Sequence, residues 1–243
     1  MRTVLVTGGN KGIGRACAER FAAGGHRVIV TGRDKAALDE VAAAHPGIEP
    51  LAFDVTDEQA WASFAAPVDI LVANAGIAES APLSKTTVEQ WRRIYEINAT
   101  GVFLACRAVL PGMRERNFGR IVAVASVASH HGVRYASAYA ASKHAVLGLI
   151  RSVAAEVTGT AITANCVCPG YVATEMTERS VERVASVTSL DQTAARAAIE
   201  NMQPLGRLVE VAEVADAVEF LAADGAAAIN GQSIILDGGG VQQ

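Results

Sequence analysis

Short apolar runs bounded by turn residues alternate along this chain with longer segments whose apolar positions recur at helical spacing. Thr3–Thr7, Arg27–Thr31, Pro50–Phe53, Asp69–Ala73, Arg120–Ala125, Ile162–Val167 and Ser233–Leu236 predict strands. Strands separated by helices pair in parallel through crossovers, so the pattern predicts an α/β fold: a doubly wound parallel sheet of about seven strands with helices on both faces. Punctuation agrees with it. Gly24-Gly25 closes a first helix, Asp34 caps a second with Pro46 beyond its end, and Thr87 with Gln90 forms a capping-box pattern opening a long third one.

No internal repeat, low-complexity segment or Pro/Ser-rich linker divides the chain, so residues 1–243 are expected to form one dinucleotide-binding and catalytic domain. The irregular stretch is about 175–203, between a strand end and a later helix. Insertions after strand ends in such folds commonly cover ligands, which makes this stretch a candidate lid, with an ordinary surface helical hairpin as the alternative.

Composition narrows the partners. Apolar residues make up 51% of the chain and aromatics only 5%, a balance suited to aliphatic parallel strands. A net charge of −4 without a Lys/Arg run argues against nucleic acid. A strand starting at Thr3 leaves no room for a targeting segment, and the apolar region from Gly101 to Met113 is too short for a membrane span, so the expectation is a cytoplasmic protein. Cys17, Cys106, Cys166 and Cys168 lack the spacing of a metal site and are expected to be buried free thiols.

The first chemical signal is Thr7-Gly8-Gly9-Asn10-Lys11-Gly12-Ile13-Gly14, between the first strand and the first helix. Glycines there let backbone amides approach a pyrophosphate, and the helix N-terminus favours the negative charge, as in Rossmann-type folds. A plain tight turn is the alternative. The second strand then ends Thr31-Gly32-Arg33. Gly32 stands where an acidic residue would accept from a free ribose 2′-hydroxyl, and Arg33 offers a fork for a 2′-phosphate. Lys11 adds a second positive charge. NADP(H) is favoured and NAD(H) is possible, Asp34 being explained as a helix cap.

The second signal is proton chemistry. Ser126 follows a strand, and Tyr139 and Lys143 follow it in a helical segment, where positions i and i+4 share a face. A phenol titrates near 10 in water, and lowering that by about three units takes roughly 4 kcal/mol, which a close ammonium and a positive nicotinamide could supply. Ser126 would hold the substrate oxygen. A helix face with a snorkelling lysine is the other reading of a lone Tyr-x-x-x-Lys.

Taken together, Thr7-Gly8-x-x-x-Gly12-x-Gly14, Asn74-Ala75-Gly76, Asn98, Ser126, Tyr139-Ala-Ala-Ser-Lys143 and Pro169-Gly170 make the chain resemble the short-chain dehydrogenase/reductase family over essentially its whole length. The resemblance implies a catalytic tetrad of Asn98, Ser126, Tyr139 and Lys143, in which Asn98 holds a water beside Lys143 and Lys143 also binds the nicotinamide ribose. It further implies adenine contacts from Asp54 and Val55, an adenosine-side wall of Asn74, Ala75 and Gly76, and a nicotinamide segment of Pro169, Gly170, Val172 and Thr174. A homotetramer is implied as well.

The sequence looks most similar to reductases of 3-oxoacyl thioesters and small ketones, with a pocket expected between 127–137 and the lid. His130-His131 could touch a polar substrate there, although adjacent loop histidines are generally solvated. Arg134, Arg179 and Arg183 are the candidates for contact with an acyl carrier. The reaction expected is NADP(H)-dependent interconversion of a ketone and a secondary alcohol. The alternatives are an NAD(H)-dependent secondary-alcohol or 3-hydroxyacyl dehydrogenase, a lyase or epimerase using bound nucleotide, and a non-catalytic nucleotide-binding regulator.

Overall fold

A computed structural model describes residues 1–242. Its seven strands are β1 (Thr3–Thr7), β2 (Arg27–Gly32), β3 (Ile48–Ala52), β4 (Ile70–Ala73), β5 (Gly119–Val124), β6 (Ile162–Pro169) and β7 (Ser233–Leu236), in the order β3-β2-β1-β4-β5-β6-β7. Every neighbouring pair is parallel. The chain runs outward from β1 to one edge, returns, and continues from β4 to the other, so a crevice opens at the carboxyl ends of β1 and β4.

Alternation along each strand builds two cores. Leu5, Ile29, Leu71, Ile121, Ala164 and Cys166 face one side, and Val4, Val6, Val30, Val72, Val122 and Val167 face the other. The first side is covered by α3 (Glu58–Ala62), α5 (Gly101–Glu115) and α6 (Ser137–Glu156), and the second by α1 (Gly12–Ala23), α2 (Lys35–Ala44) and α9 (Val211–Ala222). Because both faces of the sheet are buried, the central strands read as continuous aliphatic runs rather than alternating ones. All four cysteines are buried free thiols, and burial pushes Cys17 and Cys106 up to about 12.

Two local expectations change. The third strand starts at Ile48, not Pro50, and leaves Phe53 outside; as an edge strand paired only with β2, it shows one buried residue followed by four exposed ones, so it carries no usable alternation. At the third helix, α4 (Val88–Tyr95), Thr87 accepts from the Gln90 amide, but the Gln90 side chain turns to Glu79 at 3.2 Å instead of closing the box. A π turn at Glu96–Thr100 joins α4 to α5. Between β6 and α9 lie α7 (Glu175–Val187) and α8 (Gln192–Glu200), which share a small core of Val181, Ala195, Ile199 and Leu208. Among the described residues no helix is long and apolar enough to cross a membrane.

Candidate active site

The glycine turn is set by sterics. Gly8 and Gly12 sit at φ of +67° and +54°, and a methyl group on Gly14 would lie 2.2 Å from the Gly8 carbonyl oxygen. The backbone thus folds back on itself more tightly than any side chain allows. Lys11 is the N-cap of α1, its donor-only side chain cannot cap, and the first turn holds no acid, so the N-terminus of the helix offers its partial positive charge to the crevice. These features fit a dinucleotide phosphate. Asn10 lies beside Gly32, and Ile13 packs against the adjacent core.

Thr7 and Asn74 brace this turn. The Thr7 hydroxyl accepts from the amides of Asn74 and Ala75 at 3.0 and 3.1 Å, and Asn74 Nδ2 donates to the Thr7 and Gly8 carbonyls at 2.9 and 3.2 Å. Their polar atoms therefore tie β1 to β4 and shape the cradle from behind. Gly76 lies between Asn98 Oδ1 and Lys143 Nζ, where a methyl group would come within 3.2 Å of the amide oxygen.

At the adenosine end, Arg33 is 70% exposed with its guanidinium 3.8 Å from Asp54 Oδ2. The other Asp54 oxygen accepts from the Thr56 amide and hydroxyl, which orients the carboxylate. The Val55 side chain is buried against Gly101, and its carbonyl accepts from Trp61 Nε1 at 2.9 Å. Lys11 does not join Arg33: its Nζ reaches the other way, to Glu175 on α7 at 2.7 Å. Arg33 and Lys11 thus face different carboxylates in this structure, Asp54 and Glu175.

The proton-transfer group converges. Helix α6 carries Tyr139 and Lys143 on one face, and Lys143 Nζ lies 5.9 Å from the Tyr139 ring centre. Lys143 is buried and donates to the Val124 carbonyl at 2.8 Å, and burial lowers it to about 8. Ser126, just beyond β5, accepts from the Ala128 amide at 3.1 Å. Burial raises Tyr139 above the ordinary phenol, while a hydrogen bond with Ser126 pulls it down. The protein alone therefore holds this phenol protonated, desolvation outweighing the Ser126 hydrogen bond.

Asn98 sits in the π turn, fully buried. Its Oδ1 accepts from the Ile77 amide at 2.8 Å, and Nδ2 donates to the Ile77 carbonyl and the Ser142 hydroxyl at 2.9 and 3.0 Å. Ser142 in turn donates to the Tyr139 carbonyl at 2.7 Å, and Ser129 donates to the Lys143 carbonyl at 2.9 Å. Both ends of the Asn98 amide are engaged with protein, so the side chain pins α6 against the β4 exit. Ser142 and Ser129 were missed in the sequence; only the spacing of Ser142, one turn from Tyr139, could have flagged it.

Pro169 ends β6, and Gly170 donates its amide to Leu236. Buried Gln203, at the far end of the helical pair, accepts from the Tyr171 amide and donates to the Tyr171 and Arg207 carbonyls at 3.0, 3.0 and 2.9 Å. Nothing in its sequence neighbourhood signalled that role. Val172 bridges to Val209, and Thr174 packs on Gly12, where a methyl group would lie 3.3 Å from its Cγ2. Cys168 lies among the same groups: its thiol, raised to about 11 by burial, interacts with Lys143 and approaches His130 Nε2 at 3.4 Å. His130 is thus half-buried against β6, and only His131 is exposed, which splits the pair expected to be solvated.

Known proteins carry the same plan. The family model described as short chain dehydrogenase matches residues 2–185. The 3-oxoacyl-(acyl-carrier-protein) reductase MabA of Mycobacterium tuberculosis is 38% identical over 98% of this chain and 92% of its own length. Acetoacetyl-CoA reductase of Rhizobium meliloti is 39% identical over 98% of both chains. Among solved structures, actinorhodin polyketide ketoreductase with NADPH superimposes at a TM-score of 0.94 with 34% identity, covering 98% of this chain and 96% of the other.

Proposed function

We propose, starting from the fact that this chain belongs to the short-chain dehydrogenase family, that it is an NADP(H)-dependent reductase of ketones, with 3-oxoacyl thioesters as the leading substrate class and Tyr139 as the proton donor. Membership itself makes the chain an oxidoreductase acting between a ketone and an alcohol. The finer reading rests on one observation above the others: a half-buried phenol kept protonated at the mouth of a dinucleotide cradle, hydrogen-bonded to Ser126 and one turn from a buried amine. That is the acid a ketone reduction needs.

The cradle would hold the cofactor through Gly8, Asn10, Lys11, Gly12, Ile13 and Gly14 at its phosphates, and through Arg33, Asp54 and Val55 at its adenosine. Ala75 and Gly76 would line the same wall, with Thr7 and Asn74 bracing it. Pro169, Gly170, Val172 and Thr174 would flank the nicotinamide. When bound, the nicotinamide supplies the hydride to the carbonyl carbon.

Ser126 would donate to the substrate oxygen and fix its distance from Tyr139. Tyr139 would release its phenolic proton to that oxygen as negative charge develops there. Lys143 would bind the cofactor ribose and, sitting near its own midpoint of about 8, pass a proton toward the phenolate. With the Asn98 amide spent on Ile77 and Ser142, any water beside Lys143 would be held by the backbone of the π turn. The helical pair α7–α8 would close over the substrate as a lid. The relatives' substrates, a carrier-bound 3-oxoacyl group and acetoacetyl-CoA by their names, set the class to try first, and a cytoplasmic homotetramer is the expected form.

The test is a panel of ketones and 3-oxoacyl thioesters assayed with NADPH and NADH. NADPH should be preferred by at least about tenfold, and Arg33→Ala should remove most of that preference, each lost charge-assisted contact being worth about 1.5–3 kcal/mol. Preference for NADH in the unaltered protein would refute the cofactor assignment.

A further inference from the structure

Lys11 and Glu175 form a strap across the crevice, in which the proposed reaction gives Glu175 no role. Glu175 Oε2 lies 2.7 Å from Lys11 Nζ and 3.4 Å from Arg179 Nη2, one turn further along α7. Beneath this pair Thr174 packs on Gly12. The first turn of the lid helix therefore rests on the N-terminus of α1, where a dinucleotide must set its phosphates. Both partners of the strap are more than half exposed, at 53% and 66%.

We propose that Glu175 gates the cofactor crevice, holding Lys11 in the free protein and surrendering it to the cofactor's phosphates while its own carboxylate moves onto Arg179. The inference rests on the dinucleotide reading above. An acid in the first turn of a helix has a ready explanation in the helix dipole, and Glu178 occupies the same turn. That explains a carboxylate at the start of α7, but not its reach across the crevice to the single lysine of the glycine turn.

Charge arithmetic favours the exchange. Lys11 trades one carboxylate for a diphosphate carrying more negative charge, and Glu175 keeps a cation because Arg179 already contacts the same oxygen. Only side-chain rotation is required. An exposed ion pair is weak in water, so the strap resists the cofactor by several-fold and no more. While it is closed, it also removes the positive charge that would steer an anionic ligand inward. Release of Lys11 by Glu175 and arrival of phosphate thereby become linked events.

The experiment titrates NADPH into the unaltered protein, Glu175→Gln, Lys11→Gln and the double variant, by calorimetry for Kd and stopped-flow fluorescence for kon. Glu175→Gln is expected to tighten NADPH binding by about three- to tenfold, mainly through a faster kon, with the difference shrinking toward 0 above about 0.5 M salt. In the Lys11→Gln background the same change should move Kd by less than about twofold. In turnover, the KM for NADPH should fall while the KM for the ketone stays put. Weaker or unchanged binding in Glu175→Gln overturns the gate, as does an equal effect with and without Lys11. Absence of NADPH binding in every protein including the unaltered one overturns the dinucleotide reading and the gate with it, a result distinct from either of the others.

Discussion

Around the first turns of α6, the polar side chains of Asn98, Ser129, Ser142 and Lys143 are all buried, and each is bonded to backbone or to another of the four. Across the crevice, α7 and α8 share a core of four buried residues and are laced on the outside by ion pairs such as Arg196 to Glu178 and Glu200. The same chain thus makes a floor from desolvated hydrogen bonds, which are costly to leave unmet, and a flap from exposed charges, which exchange partners with water at little cost. On the proposed function, the floor would hold a reacting atom in place, and the flap would move.

The largest expected effect tests whether the floor does the chemistry. Tyr139→Phe removes one hydroxyl and should lower kcat by about 10³-fold with Kd for NADPH within about threefold, measured by steady-state turnover and calorimetry. A variant that keeps more than a tenth of its activity would break the contrast between the two regions.

Next comes the cradle that joins them. Gly14→Ala forces a methyl group to within 2.2 Å of the Gly8 carbonyl; thermal unfolding should show a loss of about 3 kcal/mol or more and NADPH binding should vanish. On the flap side, Gly206 has φ of +63° but open space around it. Its replacement by Ala should cost only about 1 kcal/mol, from backbone conformation alone.

A third test asks how deeply the floor is desolvated. Burial holds Lys143 at about 8, whereas an unfolded lysine titrates near ~10.4. Between those values the unfolded chain keeps a proton that the folded chain has shed, so stability conferred by this residue rises with pH there, and below 8 its full penalty applies. Urea unfolding of the unaltered protein and Lys143→Met should therefore show the unaltered protein gaining on the variant by about 1 kcal/mol per pH unit from pH 8 to 10. A flat difference would mean that the amine stays charged. The smallest effect belongs to the flap: Arg196→Ala should move Tm by less than about 2 °C, and a larger drop would show that its ion pairs carry more than exposed pairs do.

How much of this was legible depended on range. The central strands, the Asp34 cap, the glycine turn and the Tyr139/Lys143 face are signals contained within a few residues, and the fold places each of them within a residue or two of expectation. The edge strand β3 was misplaced because only one of its faces and one of its edges meets protein, which erases the pattern. Gln203 and the His130–Cys168 contact were invisible because their partners lie 32 and 38 residues away, and the bond of Ser142 to Asn98, 44 residues off, was equally hidden although its one-turn spacing from Tyr139 was not.

By itself, then, the amino-acid sequence determined the kinds of element, the positions of the turns that only glycine can make, and which residue types stand ready for proton and phosphate chemistry. Only the tertiary structure decided that Lys11 turns to the flap and not to Arg33, that Asn98 braces α6 through Ile77 and Ser142, and that burial raises the Tyr139 phenol while Ser126 pulls against it. The reason is physical: periodicity and backbone sterics act between near neighbours, whereas charge pairing and desolvation depend on which distant segments the sheet order brings side by side.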